Sequence, residues 1–254
     1  MPDHITQDQW NYRFVSPFTW IISGSTGAGK TYMLSTFIEN HKRLCVPLQT
    51  KLLVAYKHKQ PLYMQYSKYI ETEFMKEPGV IPKPHELNNA SILIIDDLLA
   101  NINEVIEFFT VHSHHMNVNV IFITQNFYEK GMRTLSLNAH YLTIYKNPRD
   151  SSQIQHLSRQ LEPQDSKLVT SAYDMATKRA HGYLHINCKQ KAHIFFKYRD
   201  KIDANDSCSV FVSRKNALVV EITLDKIRLL IEQGLSLEQA VTQFLHESTD
   251  THPT

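Results

Sequence analysis

The sequence predicts an α/β fold: a central, mostly parallel sheet with helices on both faces. Three observations carry that reading. Five short runs rich in β-branched and aromatic residues alternate with stretches of helical apolar spacing. A glycine-rich turn stands between the first run and the first helical stretch, and the third run is apolar up to a terminal pair of aspartates.

The five runs are Phe18 to Ser23, Lys51 to Tyr56, Ser91 to Ile95, Val118 to Thr124 and Tyr141 to Tyr145. The second, third and fourth are almost continuously apolar, as strands covered on both faces should be. Helices are expected over Thr31 to His41, Leu62 to Lys76, Asn103 to Ser113 and Ser151 to Leu161. Pro78, Pro82 and Pro84 cannot continue a helix or enter a central strand, so Glu77 to Glu86 is expected as a loop.

The pattern changes after Pro163. A helical stretch from Asp165 to Arg179 leads to two alternating runs, Tyr183 to Cys188 and His193 to Tyr198, which predict a β-hairpin on the sheet edge. Beyond the polar break Asp203 to Ser209, helical spacing returns in Leu224 to Glu232 and Leu235 to His246, with a Ser236-x-x-Gln239 capping box. The expected organisation is one domain over residues 1–200 and a helical appendage over 201–254.

Composition narrows the class. With 254 residues, of which 42% are hydrophobic, the chain can bury a full core. Its 27 basic and 25 acidic residues leave a charge of +2, so any affinity for nucleic acid must come from a local patch. Cys45, Cys188 and Cys208 are odd in number and widely spaced, which speaks against a disulfide framework and a zinc site and for a reducing, intracellular setting. The first ten residues lack the apolar stretch of a signal peptide, and no later run reaches the ~20 apolar residues of a membrane span. A soluble chain is expected.

The chemistry is concentrated in Gly24-Ser25-Thr26-Gly27-Ala28-Gly29-Lys30-Thr31, which matches G-x-x-x-x-G-K-[ST] at every fixed position, between a strand and a helix. That is a P-loop. Its glycines let backbone N–H groups turn inward around phosphate oxygens, and the helix N-terminus adds a favourable dipole. Lys30 is expected to bridge the β- and γ-phosphates of ATP, and the Thr31 hydroxyl to bind Mg²⁺. Ile92-Leu-Ile-Ile-Asp96-Asp97 has the form of a Walker B element, with Asp96 on Mg²⁺ through water and Asp97 as general base for the attacking water. In P-loop ATPases with an added strand between these two, a polar residue at its end contacts the γ-phosphate or the water. Gln125 fits that sensor role, the alternative being a turn or cap residue.

At these residues the sequence resembles the FtsK/HerA superfamily of DNA-pumping ATPases, and more narrowly the poxvirus-type packaging ATPases found in Polintons and adintoviruses. The matching stretches include Ile92 to Leu98, His114-His115, Ile123 to Phe127, and above all Arg133-Thr-Leu-Ser-Leu-Asn-Ala-His-Tyr141 and Lys146-Asn-Pro-Arg-Asp150. The likeness spans roughly Phe14 to Tyr198. It implies a 5-1-4-3-2 order of the five strands and a homo-oligomeric ring, pentamer or hexamer, that drives double-stranded DNA into a preformed viral capsid. The partners are then DNA and the capsid or its portal vertex, in the host nucleus or a cytoplasmic virus factory, and the isolated chain can be monomeric.

A ring motor needs a cation from the neighbouring subunit to neutralise transition-state charge. Arg133 is the first candidate, then Arg149, then Arg159, each alternatively a surface or fold-stabilising arginine, with Asn138 holding the loop that presents them. Met116 stands where relatives carry a basic residue after the paired histidines, and Asp97 where cellular FtsK proteins carry glutamate. His112, His114 and His115 lack metal-ligand spacing and fit polar packing at a subunit interface better. Lys57-His58-Lys59 could touch DNA phosphates or form a solvated loop.

Other classes fit less well. A helicase or helicase loader of the AAA+ type would want a helical domain where the hairpin follows Glu162. A non-hydrolysing nucleotide-binding scaffold for virion assembly would not need the Asp96-Asp97 pair, and a small-molecule kinase would lack Gln125.

Overall fold

The computed structural model describes residues 13–87, 91–147, 152–190, 192, 196–203, 208–214, 218–223, 229–236, 239–240 and 243. The described strands are β1 (Phe14–Val15), β2 (Thr19–Ser23), β3 (Cys45–Val46), β4 (Lys51–Tyr56), β5 (Glu71–Phe74), β6 (Ser91–Asp96), β7 (Asn119–Thr124), β8 (Tyr141–Tyr145), β9 (Tyr183–Asn187), β10 (Tyr198–Arg199), β11 (Ser209–Arg214) and β12 (Leu218–Thr223). The α-helices are α1 (Lys30–Glu39), α2 (His41–Leu44), α3 (Ile102–Glu107), α4 (Ser113–His115), α5 (Met132–Leu137), α6 (Ser152–Leu161) and α7 (Ser166–Ala176).

The main sheet runs β12-β11-β10-β9-β8-β2-β7-β6-β4-β5. Its centre, β8-β2-β7-β6-β4, is parallel throughout and reproduces the 5-1-4-3-2 order expected of the five sequence runs. The fold is therefore α/β on a mostly parallel sheet.

The pleat explains the layers. Alternate residues of a strand point to opposite faces, so Ile21, Leu53, Leu93, Val120 and Leu142 enter one core layer. Trp20, Ile22, Leu52, Ile92, Ile121 and Tyr141 enter the other. The first layer is closed by Val105 of α3, Leu135 of α5, Leu157 of α6 and Val169 of α7. The second is closed by Leu34 and Phe37 of α1 and by Tyr63 and Tyr66 of a 3₁₀ helix, Pro61–Lys68. Phe14 seals that second layer, its ring centroid 4.7 Å from Trp20, 4.9 Å from Phe37 and 4.6 Å from Tyr141.

Three expectations need correction. The helix expected over Leu62 to Lys76 is only the 3₁₀ segment, after which β5 pairs in parallel with β4. Glu71 and Glu73 alternate along β5 and suit an edge, where charge discourages further pairing, and Lys51 holds Glu73 at 2.9 Å. The helix expected over Asn103 to Ser113 opens into a π-helical turn, Phe108–His112, between α3 and α4. Finally, the region beyond residue 200, expected to be helical, begins with an antiparallel hairpin, β11 to β12, joined to the sheet through β10.

Of the expected edge hairpin, the first run is β9 and Tyr198 in β10 lies antiparallel opposite Ile186; residues 193–195 of the second run lie outside the described residues, and β11 and β12 continue the sheet beyond it, so the pair is not its edge. The Ser236–Gln239 capping box is also present. Gln239 N donates to Ser236 Oγ at 3.2 Å and Ser236 N to Gln239 Oε1 at 2.9 Å. Much of the two C-terminal helices expected there lies outside the described residues.

Two histidines tie the sheet together as neutral rings. Thr143 Oγ1 accepts from Trp20 Nε1 at 2.9 Å and lies 2.9 Å from His185 Nδ1. Thr19 N donates to His140 Nδ1 at 3.0 Å. Burial, helped by Arg199, holds His185 well below its ordinary value of 6.5. Burial, with Lys189 and His114, brings His140 to about 4. Unfolded imidazoles take up a proton below about 6.5 while these folded ones do not, so stability is full above that value and falls with pH toward the folded values. The melting temperature should drop between pH 6.5 and about 5, above the range where most carboxylates titrate. A flat melting profile across that window would contradict the neutral, buried state of both rings.

Candidate functional site

The parallel register aligns the strand ends: Ser23 pairs with Thr124 and Ile144, Asp96 with Ile123 and Tyr56. The loops after β2, β4, β6 and β7 therefore meet at one sheet edge, the usual place for ligands in α/β folds.

At the end of β2 the chain passes so close to β8 that a Cβ on Gly24 would lie 2.6 Å from Tyr145 Cβ. Gly27 and Gly29 then take left-handed φ values of 78° and 104°, and α1 starts at Lys30. Tyr145 OH donates to Gly29 O at 3.2 Å and pins the far side of the loop. Lys30 Nζ folds into the loop and donates to Ser25 O at 2.9 Å and to Gly24 O. Burial lowers the pKa of this ammonium, while the carboxylates of Asp96 and Asp97 oppose the shift.

Opposite the loop, the Asp96 carboxylate is buried and accepts from Tyr63 OH and, at 3.1 Å, from Gln60 Nε2. Burial raises its pKa; the two hydrogen bonds and Lys30 act against the rise, and Asp97 adds to it. The other end of the Gln60 amide, Oε1, accepts from Thr31 Oγ1 at 2.9 Å. One amide thus spans the two residues expected at Mg²⁺. A hydroxyl, a carboxylate and an amide oxygen are hard donors, and together they fit a small divalent cation that keeps waters and phosphate oxygens for its remaining positions. Among the described residues no three His, Cys, Asp or Glu side chains gather around a metal position.

Asp97 sits at φ 57°, in the left-handed region, with its N–H donating to Ile123 O at 3.1 Å. Its carboxylate accepts from Gln125 Nε2 at 3.1 Å, and Gln125 Oε1 accepts from Thr26 Oγ1 at 3.1 Å. Asp97, Gln125 and the phosphate loop therefore form one polar chain across the mouth.

These residues line a cleft of about 380 Å³ that brings together Thr26 to Thr31, Asp96, Asp97 and Gln125, with Gln60 and His58 at the side. Gly24 and Ser25 do not line it, and meet it only through the carbonyls that accept from Lys30. Arg133 on α5 and Arg159 on α6 are exposed and do not line it, and Arg149 lies outside the described residues. Asn138 ends α5, with Nδ2 donating to Thr134 O at 2.8 Å and its carbonyl accepting from Thr19 Oγ1 at 2.7 Å. His114 packs edge-on against His140 with ring centroids 5.4 Å apart. Lys59 lies over the Phe74 ring at 4.4 Å. Gln60, Tyr63, Tyr145 and His181, whose Nδ1 lies 3.2 Å from Ala28 O, are site residues that no motif announced.

No family model matches the chain, and no curated protein matches it in sequence. Among solved structures, it is similar to the genome packaging NTPase B204 from Sulfolobus turreted icosahedral virus 2 in complex with ATP-gammaS. The identity is 12% and the TM-score 0.45, over 69% of this chain and 95% of that one. It is also similar to B204, the DNA-packaging ATPase from Sulfolobus turreted icosahedral virus, at 16% identity and a TM-score of 0.47 over 67% and 92%. A KaiC-like protein from Pyrococcus horikoshii OT3 gives 13% and 0.40 over 82% and 90%. Likenesses this distant leave the activity to be argued from the site.

The Gly24 contact can be tested by stability alone. Gly24→Ala forces a methyl into the Tyr145 side chain and should cost about 1–3 kcal/mol in urea unfolding. A change below about 0.5 kcal/mol would show that the loop has room to move.

Proposed function

We propose that this chain binds Mg-ATP in the cleft, hydrolyses it and uses the energy to drive double-stranded DNA into a viral capsid. The observation that carries the hydrolytic part is the Asp97–Gln125 pair, held 3.1 Å apart across the mouth from the Lys30 loop. An acid beside a polar side chain, facing a phosphate cradle, can order one water and take its proton. The water oxygen bonds to the γ-phosphorus as the β,γ-bridging P–O bond breaks. ADP and phosphate leave, and Asp97 passes the proton to solvent.

Each remaining part has a defined task. Loop N–H groups and Lys30 hold the β- and γ-phosphates, replacing their hydration with fixed positive charge. Thr31 and Asp96 would hold Mg²⁺, with Gln60 as the amide already joined to both; the ion would neutralise phosphate charge. Gln125 fixes Asp97 on one side and Thr26 on the other, so it can report the presence of a γ-phosphate to the loop.

The DNA-packaging part rests on the sequence blocks Arg133 to Tyr141 and Lys146 to Asp150 and their likeness to the poxvirus-type packaging ATPases. The central strand order agrees with what that likeness implies. The same reading makes residues 1–200 the motor domain and 201–254 an appendage that continues its sheet. It also assigns a ring of identical subunits at a capsid vertex, in the nucleus or a virus factory. No helix among the described residues is long and apolar enough to cross a membrane. Arg133 and Arg159 are exposed and do not line their own cleft, which supports a part for them in a neighbouring subunit's site.

Lys30→Ala should abolish turnover and weaken ATP binding. Asp97→Asn should keep ATP affinity while slowing hydrolysis by on the order of 10²–10⁴. Wild-type rates in either variant would end the proposal. Double-stranded DNA should stimulate hydrolysis, and its binding should weaken steeply with salt; a motor indifferent to DNA would remove the packaging assignment and leave the ATPase.

A third outcome concerns the shared site. Arg133→Ala should lower turnover with little change in ATP affinity, because the guanidinium acts on charge that develops in the transition state. Mixing Arg133→Ala with Asp97→Asn subunits should restore part of the activity. If assembled mixtures stay inactive, the role passes to Arg149 and then Arg159.

A further inference from the structure

We infer that Gln60 and Tyr63 are positioning residues that set the choice of cation: by holding one oxygen of Asp96 they leave it a single free oxygen, and so make the site prefer Mg²⁺ to Ca²⁺. This rests on the reading of the cleft as a Mg-ATP site and extends it to two residues that no motif marks.

The hydrogen bonds here have one consistent direction. A carboxylate accepts and does not donate, so the end of the Gln60 amide that faces Asp96 is its NH₂ and the end that faces Thr31 is its carbonyl. Thr31 Oγ1 therefore donates its one proton to Gln60 Oε1, at 2.9 Å, and keeps its lone pairs. Tyr63 OH and Gln60 Nε2 both donate to the same oxygen of the acid, Asp96 Oδ2, the amide at 3.1 Å. Among the described residues no hydrogen bond reaches Asp96 Oδ1. What these two residues have left to offer a cation is the lone pairs of one hydroxyl and of one carboxylate oxygen.

The number of free oxygens bears on the ion. Ca²⁺ gathers about six to eight oxygens and readily takes a carboxylate through both of its own, whereas Mg²⁺ demands a near-ideal octahedron at about 2.0–2.1 Å and keeps several waters beside its one or two carboxylates. An acid with one oxygen already occupied by two donors is poorly suited to the first mode and sufficient for the second. Groups that hold the far atom of a metal-binding side chain commonly fix its orientation and tune the affinity.

Both positioning residues are themselves held. Gln60 leads in extended conformation into the 3₁₀ helix Pro61–Lys68, whose first residue, a proline, has its φ fixed. Tyr63 is fully buried, its N–H donates to Gln60 O at 3.1 Å, and its ring lies 5.5 Å from that of Tyr66. Ahead of the segment, Lys57 N donates to Asp96 O at 3.1 Å. Behind it, Tyr69 OH donates to Glu39 Oε1 at 3.2 Å, on the helix that begins with Lys30 and Thr31. The segment is thus anchored to the two elements whose side chains it orients.

Calorimetric titration of the full chain with the β,γ-methylene analogue of ATP, in Mg²⁺, in Ca²⁺ and in a chelator with neither ion, separates the choice of cation from phosphate binding. The wild type should bind the analogue at least tenfold more tightly with Mg²⁺ than with Ca²⁺. Tyr63→Phe and Gln60→Met, which nearly keep shape and remove one donor each, should each lower that ratio at least threefold, and the double variant should lower it further. Affinity without either ion should stay within twofold in all three variants, because the phosphate loop is untouched. Thermal melts check folding, and Gln60→Met, at the partly exposed start of the segment, carries the test if the buried Tyr63→Phe does not fold. The inference is overturned, and the ATP site kept, if the wild type binds equally with both ions or if folded variants keep the wild-type ratio. It is also overturned if the variants lose binding in parallel under all three conditions, the mark of a merely structural role. A wild type that binds the analogue in none of them overturns the ATP reading and this inference with it.

Discussion

The placement of the phosphate loop depends on Tyr145. Its Cβ occupies the space that a side chain at Gly24 would need, and its hydroxyl holds the carbonyl of Gly29, so a single residue of β8 fixes both ends of the turn. Its backbone carbonyl accepts from Tyr173 of α7 at 3.2 Å, and its ring lies 5.2 Å from that of Tyr183 on β9. The loop is thus referenced to the sheet, to a helix on the other face and to the first antiparallel strand. Backbone N–H groups can bind phosphate without reorganising only if they are held in advance, and this packing holds them.

Charge balance adds a second constraint. Lys30 and Asp96 are both partly stripped of water, and each shifts toward its neutral form for that reason. They remain compatible because each opposes the other's shift and because Asp96 also accepts from Tyr63 and Gln60. The hydroxyl of Tyr63, pushed far above its ordinary range by burial and by Asp96, stays protonated and can only donate here. The acid is oriented by its neighbours within the chain itself.

Much of this was legible in the sequence because it is written in short spacings. The glycine and lysine positions of the loop, the apolar run ending at Asp96 and Asp97, and the polar residue after β7 each depend on a few consecutive residues. The strand order followed from a resemblance and not from periodicity, since spacing along a chain does not say which strands are neighbours. What was not legible reaches the site through tertiary contact. Gln60 and Tyr63 come from a 3₁₀ segment that looked like the start of a long helix, and His181 arrives 153 residues after the carbonyl it meets. Strand β5 is not evident in the sequence because Glu71 and Glu73, on an edge strand, carry little apolar signal. Strands β11 and β12 were missed for a related reason. The short run around Val210, Phe211 and Val212 follows a polar break and was absorbed into an expected helical region.

The left-handed backbone at Asp97 bears on which acid can serve there. Among residues with side chains, aspartate and asparagine enter that region of conformational space most readily, since their short polar groups can bond locally. Glutamate at this point would set a longer side chain on the same bent peptide and carry its carboxylate past Gln125. The shorter acid is therefore a fitted choice and not a weakened copy. Exchanging the two acids, conservative on paper, changes a backbone preference and a reach at once, so the turn would have to move together with the side chain.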